Sequence, residues 1–269
     1  MQNRPQIMGV LNITPDSFSD GGKFQSIDAA VAQARRMWDA GADVIDIGGE
    51  STRPGSEAVP AEQQIERVMP VIREIRQQLP EAVLSIDTTS FRVAEAALDA
   101  GAGMLNDVSA GRDFPDVFKL AAESGVPLVL MHMQGTPKTM QQSPKYKNVL
   151  LEVRQFLQDR AEAAIRAGVR EAQLWIDPGI GFGKRRQDNL ELINGLDYLV
   201  SLGLPVLLGT SRKRFMGNLC EITEPSQLVG ATCATTALGV AAGVRMFRVH
   251  DVLENRQAAD VAWHVLRSP

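Results

Sequence analysis

Eight short apolar runs, near residues 7–13, 42–48, 83–87, 104–108, 127–132, 173–177, 205–210 and 245–250, alternate along the chain with stretches of helical periodicity. Strands joined by helical crossovers run parallel, so this alternation already selects an α/β architecture built on a parallel sheet. The strand-like runs end in polar residues: Asn12, Asp46 to Glu50, Asp87, Asn106 with Asp107, His132, Asp177, Ser211 to Lys213, and Arg248 to Asp251. In parallel α/β folds the chemistry gathers at the carboxyl ends of the strands. The pattern therefore describes an enzyme whose polar groups meet on one face.

The clearest helix is predicted over 61–79, where Ile65, Val68, Met69, Ile72, Ile75 and Leu79 recur on one side at helical spacing. Gly41, Gly101, Gly125, Gly168, Gly203 and Gly243 each stand between a helical run and the next strand. Glycine ends helices there because it adopts the left-handed conformation without a Cβ clash. A doubly wound sheet would concentrate its chemistry at one switch point. Eight strands with polar groups spread over nearly all their ends instead predict a single (β/α)8 TIM barrel spanning 1–269. Long loops follow strands one, two and five at 14–26, 50–60 and 133–148, and the first two are candidate lids over the barrel mouth.

The chain has 269 residues, enough for a large core, and a net charge of -4 with a pI near 5.5. That balance offers no basic footprint for nucleic acid, so an anionic ligand should be small and met by local positive groups. Cys220 and Cys233 form neither a disulfide framework nor a metal-ligand spacing. Together with the lack of a signal-peptide pattern or an apolar stretch of membrane-spanning length, they point to a cytoplasmic protein with reduced thiols.

Asp87, Asn106 and Asp177 close strands three, four and six. A carboxylate deep in a barrel is costly unless donors meet it, and a flat heterocycle with an amino-pyrimidinone edge supplies adjacent N–H groups. Taken singly, each residue could equally be a helix cap or loop acid. Arg53, Lys213, Arg248 and His250 fall on the same rim and suit a phosphate or pyrophosphate. The run Gly179 to Lys184 departs from the Walker pattern, with Pro178 in place of the first glycine and Arg185 in place of the Ser/Thr. It is read as a tight loop beside Asp177, and Lys184-Arg185-Arg186 as a solvated face. No zinc motif or serine-nucleophile context is present, His264 is read as structural, and Asp46 and His132 receive no role.

Four motifs carry a resemblance covering essentially the whole chain in order: 9–22, 48–55, 177–184 and Ser211-Arg212-Lys213. They resemble dihydropteroate synthase, the sulfonamide target of folate biosynthesis. The resemblance implies condensation of 6-hydroxymethyl-7,8-dihydropterin diphosphate with 4-aminobenzoate, giving 7,8-dihydropteroate and pyrophosphate with Mg2+ as cofactor. By position it implies pterin binding by Thr52, Asp87, Asn106, Asp177 and Lys213, and diphosphate binding by Asn12, Thr52, Arg248 and His250. Asn12 would also serve the metal. Phe18, Arg53, Pro54 and Ser211 would shape the aminobenzoate site, with Asp87, Asp177, Lys213, Arg248 and His250 as the catalytic set. An SN1-like path is expected, because departing pyrophosphate leaves positive charge on the pterin methylene. The polar strand ends then divide into an acid-amide set for the pterin and a basic set for the diphosphate, meeting at Lys213. A homodimer through helices on the C-terminal side is implied as well.

Two other readings use the same residues. A pterin-dependent methyltransferase shares the barrel and the acid-amide-acid set, but expels no pyrophosphate and leaves Arg53, Lys213 and Arg248 without a purpose. A non-catalytic pterin-binding paralogue would be expected to lose ligand positions, and here all of them are filled.

Overall fold

The alternation is realised as eight parallel strands wrapped by helices. The computed structural model describes residues 4–13, 23–51 and 56–268. Its strands are β1 (Gln6–Asn12), β2 (Val44–Gly48), β3 (Val83–Asp87), β4 (Met104–Asp107), β5 (Leu128–Met131), β6 (Leu174–Asp177), β7 (Leu207–Leu208) and β8 (Met246–Val249). They pair in the order β6-β5-β4-β3-β2-β1-β8-β7. Ile176 bridges Val206 and donates its N–H to Pro205 O at 3.0 Å. This bridge nearly closes the ring and makes the fold a (β/α)8 barrel.

Between the strands run α1 (Lys23–Asp39), α2 (Ala61–Gln78), α3 (Phe91–Asp99), α4 (Asp116–Ser124), α5 (Val149–Arg166), α6 (Arg186–Asn194), α7 (Leu196–Val200), α8 (Arg214–Cys220) and α9 (Val229–Ala242), and α10 (Val252–Val265) follows β8. Helix α2 buries Val68, Met69, Ile72 and Ile75, the face its periodicity marks. All six punctuating glycines have φ between 73° and 107°, the left-handed conformation expected of them. Strand β7 is shorter than the predicted 205–210. Pro205 has no N–H to give a ladder, although its carbonyl still serves Ile176.

Strand pleating decides where the site lies. Met8, Val44, Met104, Val129, Leu207 and Met246, with Trp175 against them, form one buried cluster contributed by seven strands. Only the barrel lumen brings those strands together on one side. Intervening residues such as Ile45, Ile47, Leu84, Ile86, Leu105 and Leu128 face the helices in a separate cluster. Side chains alternate with period two, so Asp46, Asn106, Met131, Asp177, Gly209 and Arg248, each two residues beyond a lumen residue, form the next layer up. An apolar plug fills the lower barrel and a polar layer rests on it.

Candidate active site

Asn12 pairs in register with Gly48, Gly48 with Asp87, and Asp87 with Asn106. Register partners project to the same side of a sheet, so one row brings an amide, a carboxylate and a second amide to the barrel mouth. A Cβ on Gly48 would lie 3.5 Å from Asn12 Oδ1 and 3.6 Å from Asp87 Cβ, so glycine keeps the gap between them open. With Asp177, Lys213, Arg248 and His250, these groups line a cavity of about 860 Å³, ample for a bicyclic ligand.

Arg248 lies among the acids. Its Nε donates to Asp46 Oδ2 at 2.6 Å and its Nη2 to Asp87 Oδ2 at 2.7 Å, while Asn106 Nδ2 donates to the same Asp46 oxygen at 3.0 Å. Asp46 Oδ1 and Asp87 Oδ1 are buried without a hydrogen-bond partner among the described residues. Burial pushes the Asp87 carboxyl up to about 7, against the opposing charge of Arg248. Burial alone would lower Arg248, but the carboxylates of Asp46 and Asp87 outweigh it and raise its pKa.

On the other side, Asp177 Oδ1 accepts from Gly179 N–H at 2.7 Å. Lys213 Nζ donates to Ile180 O and lies 4.7 Å from the centre of the Phe182 ring. Burial raises Asp177 and lowers Lys213 to about 8, and each charge partly offsets the shift of the other. The loop from Gly179 to Gly183 is as tight as its glycines suggest. A Cβ on Gly179 (φ +65°) would stand 1.9 Å from His132 O, and one on Gly183 (φ +61°) 2.3 Å from Gln134 O.

Ser211 Oγ bonds the His250 ring at Nδ1 (3.0 Å) and accepts from its backbone N–H (3.1 Å), which orients the imidazole at the rim. Asn12, Asp87, Asn106, Asp177, Ser211, Lys213, Arg248 and His250 thus share one cavity. The expected separation into an acid set and a basic set is corrected: Arg248, half-buried at the barrel mouth, sits between two carboxylates that offset its charge, so the sets interleave. Phe18, Thr52, Arg53, Pro54 and the loop 14–22 lie outside the described residues.

A second correction concerns Lys184, which is buried, with Nζ bonding His132 Nδ1 at 2.9 Å, Phe182 O at 3.0 Å and His132 O at 3.3 Å. Only Arg185 and Arg186 of that run are exposed. Arg212, on the rim, forms a two-pronged pair with Asp251 at 2.5 and 3.1 Å. Asp46 and His132 are both connected to the site. The readable sign for Asp46 is an acid interrupting an apolar strand, matched by Arg248 interrupting another; two such buried charges of opposite sign invite pairing.

Among the described residues, no three His, Cys, Asp or Glu side chains gather as a metal cluster, and Asn12 offers one amide oxygen at the cavity. Such a donor set does not suit a structural zinc or a calcium cage.

Comparison with known proteins agrees with this geometry. A family model described as pterin binding enzyme matches residues 8–250. The dihydropteroate synthase of a Synechocystis strain is 44% identical over 259 residues, covering 96% of this chain and 89% of the relative. The dihydropteroate synthase of Xanthomonas albilineans solved with 4-aminobenzoic acid superposes with a TM-score of 0.93 at 46% identity, covering 100% of this chain and 95% of that one. A structure of the Xanthomonas albilineans enzyme in complex with 7,8-dihydropteroate gives a TM-score of 0.89 at 43% identity, with coverage of 100% and 96%. With its acceptors ranged around one lumen and this likeness over nearly its full length, the chain belongs to the pterin binding enzyme family.

Proposed function

We infer that this chain catalyses the dihydropteroate synthase reaction, joining 6-hydroxymethyl-7,8-dihydropterin diphosphate to 4-aminobenzoate with release of pyrophosphate. The observation that carries the reading is the buried acceptor set of Asp87, Asn106 and Asp177 around one cavity, with Asp87 Oδ1 still lacking a donor among the described residues. An amino-pyrimidinone edge supplies the N–H groups that such a set needs. Lys213, beside Asp177 in the same cavity, would donate a hydrogen bond to the ring.

The same groups suit the chemistry. Cleavage of the methylene–oxygen bond leaves positive charge on the pterin and negative charge on the departing diphosphate. In this reading Asp87 and Asp177 would stabilise the first, and Arg248, His250 and Asn12, which line the same cavity, would stabilise the second. This favours an SN1-like path, in which the aminobenzoate nitrogen then attacks the methylene carbon and gives up a proton. Asn12 Oδ1 would hold Mg2+, an ion that keeps waters and shares phosphate oxygens, so a single protein ligand fits it. When bound, the ion would neutralise charge on the leaving diphosphate.

Exposed Leu238 on α9, with Leu253, Val261 and Val265 on α10, supports a homodimer through these two helices. No helix among the described residues is long and apolar enough to cross a membrane, and two unpaired cysteines suit a reducing cytoplasm. Incubation with the pterin diphosphate, 4-aminobenzoate and Mg2+ should yield dihydropteroate and pyrophosphate in equal amounts. Absence of dihydropteroate overturns the reading. For the dimer, Val261→Asp with Val265→Asp should halve the mass measured by light scattering.

A further inference from the structure

Asp46 is fully buried on β2 beneath the cavity wall, behind Asn106 and Arg248, which do line it. Resting on the pterin assignment above, we propose that Asp46 is a positioning residue that sets the polarity of the site. It fixes the Asn106 amide so that Oδ1 faces the ligand, and it holds Arg248 against Asp87.

An asparagine amide offers an oxygen on one side and an NH2 on the other, and the two orientations differ little in shape. A carboxylate only accepts. Asp46 Oδ2 already takes Arg248 Nε at 2.6 Å, so the Asn106 group facing it at 3.0 Å has to be the NH2. The Asn106 carbonyl is left for the cavity. With Asp87 and Asp177, the wall then presents three acceptors and asks a ligand for N–H donors. A site built on fixed hydrogen-bond partners discriminates far more sharply than an apolar one, because a mismatched ligand leaves buried groups unpaired. Asp46 does this without touching the ligand.

Arg248 is the second object of the same carboxylate. A long guanidinium side chain has many rotamers, and Asp46 on one side with Asp87 on the other holds it in one. That placement leaves Asp87 Oδ2 occupied by Arg248, while Asp87 Oδ1 lacks a partner among the described residues. Asp46 thereby helps decide which Asp87 oxygen a ligand meets.

An exchange experiment tests the proposal. Asp46→Asn, Asn106→Asp and the double exchange are compared with the wild type for 6-hydroxymethylpterin affinity, KM for each substrate, kcat and Tm. Asp46→Asn should weaken pterin binding by about tenfold or more, with the aminobenzoate KM little changed. Asn106→Asp, which sets two carboxylates face to face, should lose about 100-fold. In the double exchange the amide introduced at position 46 can donate to the carboxylate introduced at position 106, whose second oxygen faces the ligand, but the same NH2 then meets Arg248 Nε, which loses its acceptor. Affinity should then recover about tenfold from the level of Asn106→Asp without reaching that of the wild type.

An exchange no better than Asn106→Asp overturns the proposal. So does wild-type affinity in Asp46→Asn, or an equal rise of both substrates' KM values, which is what general loosening produces. A double exchange that fails to fold also counts against it, since that variant keeps the hydrogen bond between the two positions. Failure of the wild type to bind the pterin would instead remove the function reading.

Discussion

Lys184 Nζ lies 2.9 Å from His132 Nδ1, and its other two bonds go to the carbonyls of His132 and Phe182. Three acceptors match the three donors of an ammonium, so the pair ties the loop after β6 to the end of β5. Phe182 in turn lies beside Lys213. Burial lowers the Lys184 pKa well below its usual value, and the site tolerates the group because all its protons are placed. Lys184→Met should destabilise the fold by about 1–3 kcal/mol in urea unfolding and lower kcat, since it strands two carbonyls and frees Phe182. Wild-type stability would show that the latch does not bear on the fold.

His132 makes that latch sensitive to pH. Burial, then the charges of Lys184 and Arg112, push its pKa down to about 2. In the unfolded chain the imidazole titrates near 6.5, so below that pH the unfolded state takes up a proton that the fold refuses. The contribution is present in full above about 6.5 and is lost as pH falls toward about 2, by about 1.4 kcal/mol per pH unit. His132→Gln, whose Oε1 can still accept from Lys184, should flatten the fall in stability between about pH 6.5 and about pH 5. Identical pH slopes in the two proteins would mean that His132 already carries its proton in the fold.

Much of this was legible because parallel barrels write their chemistry at fixed places. Short apolar runs, helical stripes and six left-handed glycines locate the elements, and strand-end residues locate the rim. Pairings across the lumen were not legible: Asp46 and Arg248 are separated by 202 positions, and nothing local in either strand names the other. Lys184 escapes a sequence reading for a related reason. Three consecutive basic residues look solvated, but Gly183 turns the chain so tightly that the first of them points inward, while the Arg185 N–H at the start of α6 donates to Asp188 at 2.7 Å.

The catalytic pH profile should be a narrow bell. Asp87, raised to about 7 by burial, faces Arg248, Asp46, Asp107 and Glu50, and it must be ionised to accept from the pterin and stabilise the cation. Lys213, lowered to about 8 by burial, must be protonated to donate. Because kcat/KM reports the free enzyme, it should rise through about 7 and fall above about 8. Asp87→Asn should remove the acid limb. Lys213→Ala should remove the alkaline limb and lower turnover by about 10²-fold. A flat profile across this range would detach both groups from catalysis.

Gly179→Ala tests the loop beside Asp177. The added carbon would stand 1.9 Å from a backbone oxygen, His132 O, at a φ of +65°, so the loop has to move away from β5. Asp177 would lose its bond from Gly179 N–H. A stability loss of about 1–3 kcal/mol is expected from the backbone conformation alone, with kcat/KM falling further than stability explains. Unchanged kinetics would show that Asp177 keeps its place without this bond.

Gly209 separates pocket space from fold stability. It follows β7, and a Cβ there would lie 3.8 Å from Arg248 Cβ and 3.9 Å from both Asp177 Oδ2 and Lys213 Nζ. These are ordinary contact distances, and its φ is not positive, so Gly209→Ala should fold and bind the pterin nearly as the wild type does. Gly209→Val adds carbons that reach about 1.5 Å further, into the gap that the Asp177 and Lys213 groups bracket. Packing around an added side chain there leaves the core unchanged, since the space it takes is cavity. Pterin affinity measured by calorimetry should therefore drop by about tenfold or more with little change in Tm, because the ligand loses both a carboxylate and an ammonium contact. If Gly209→Val binds the pterin as well as the wild type, the ring does not lie between Asp177 and Lys213.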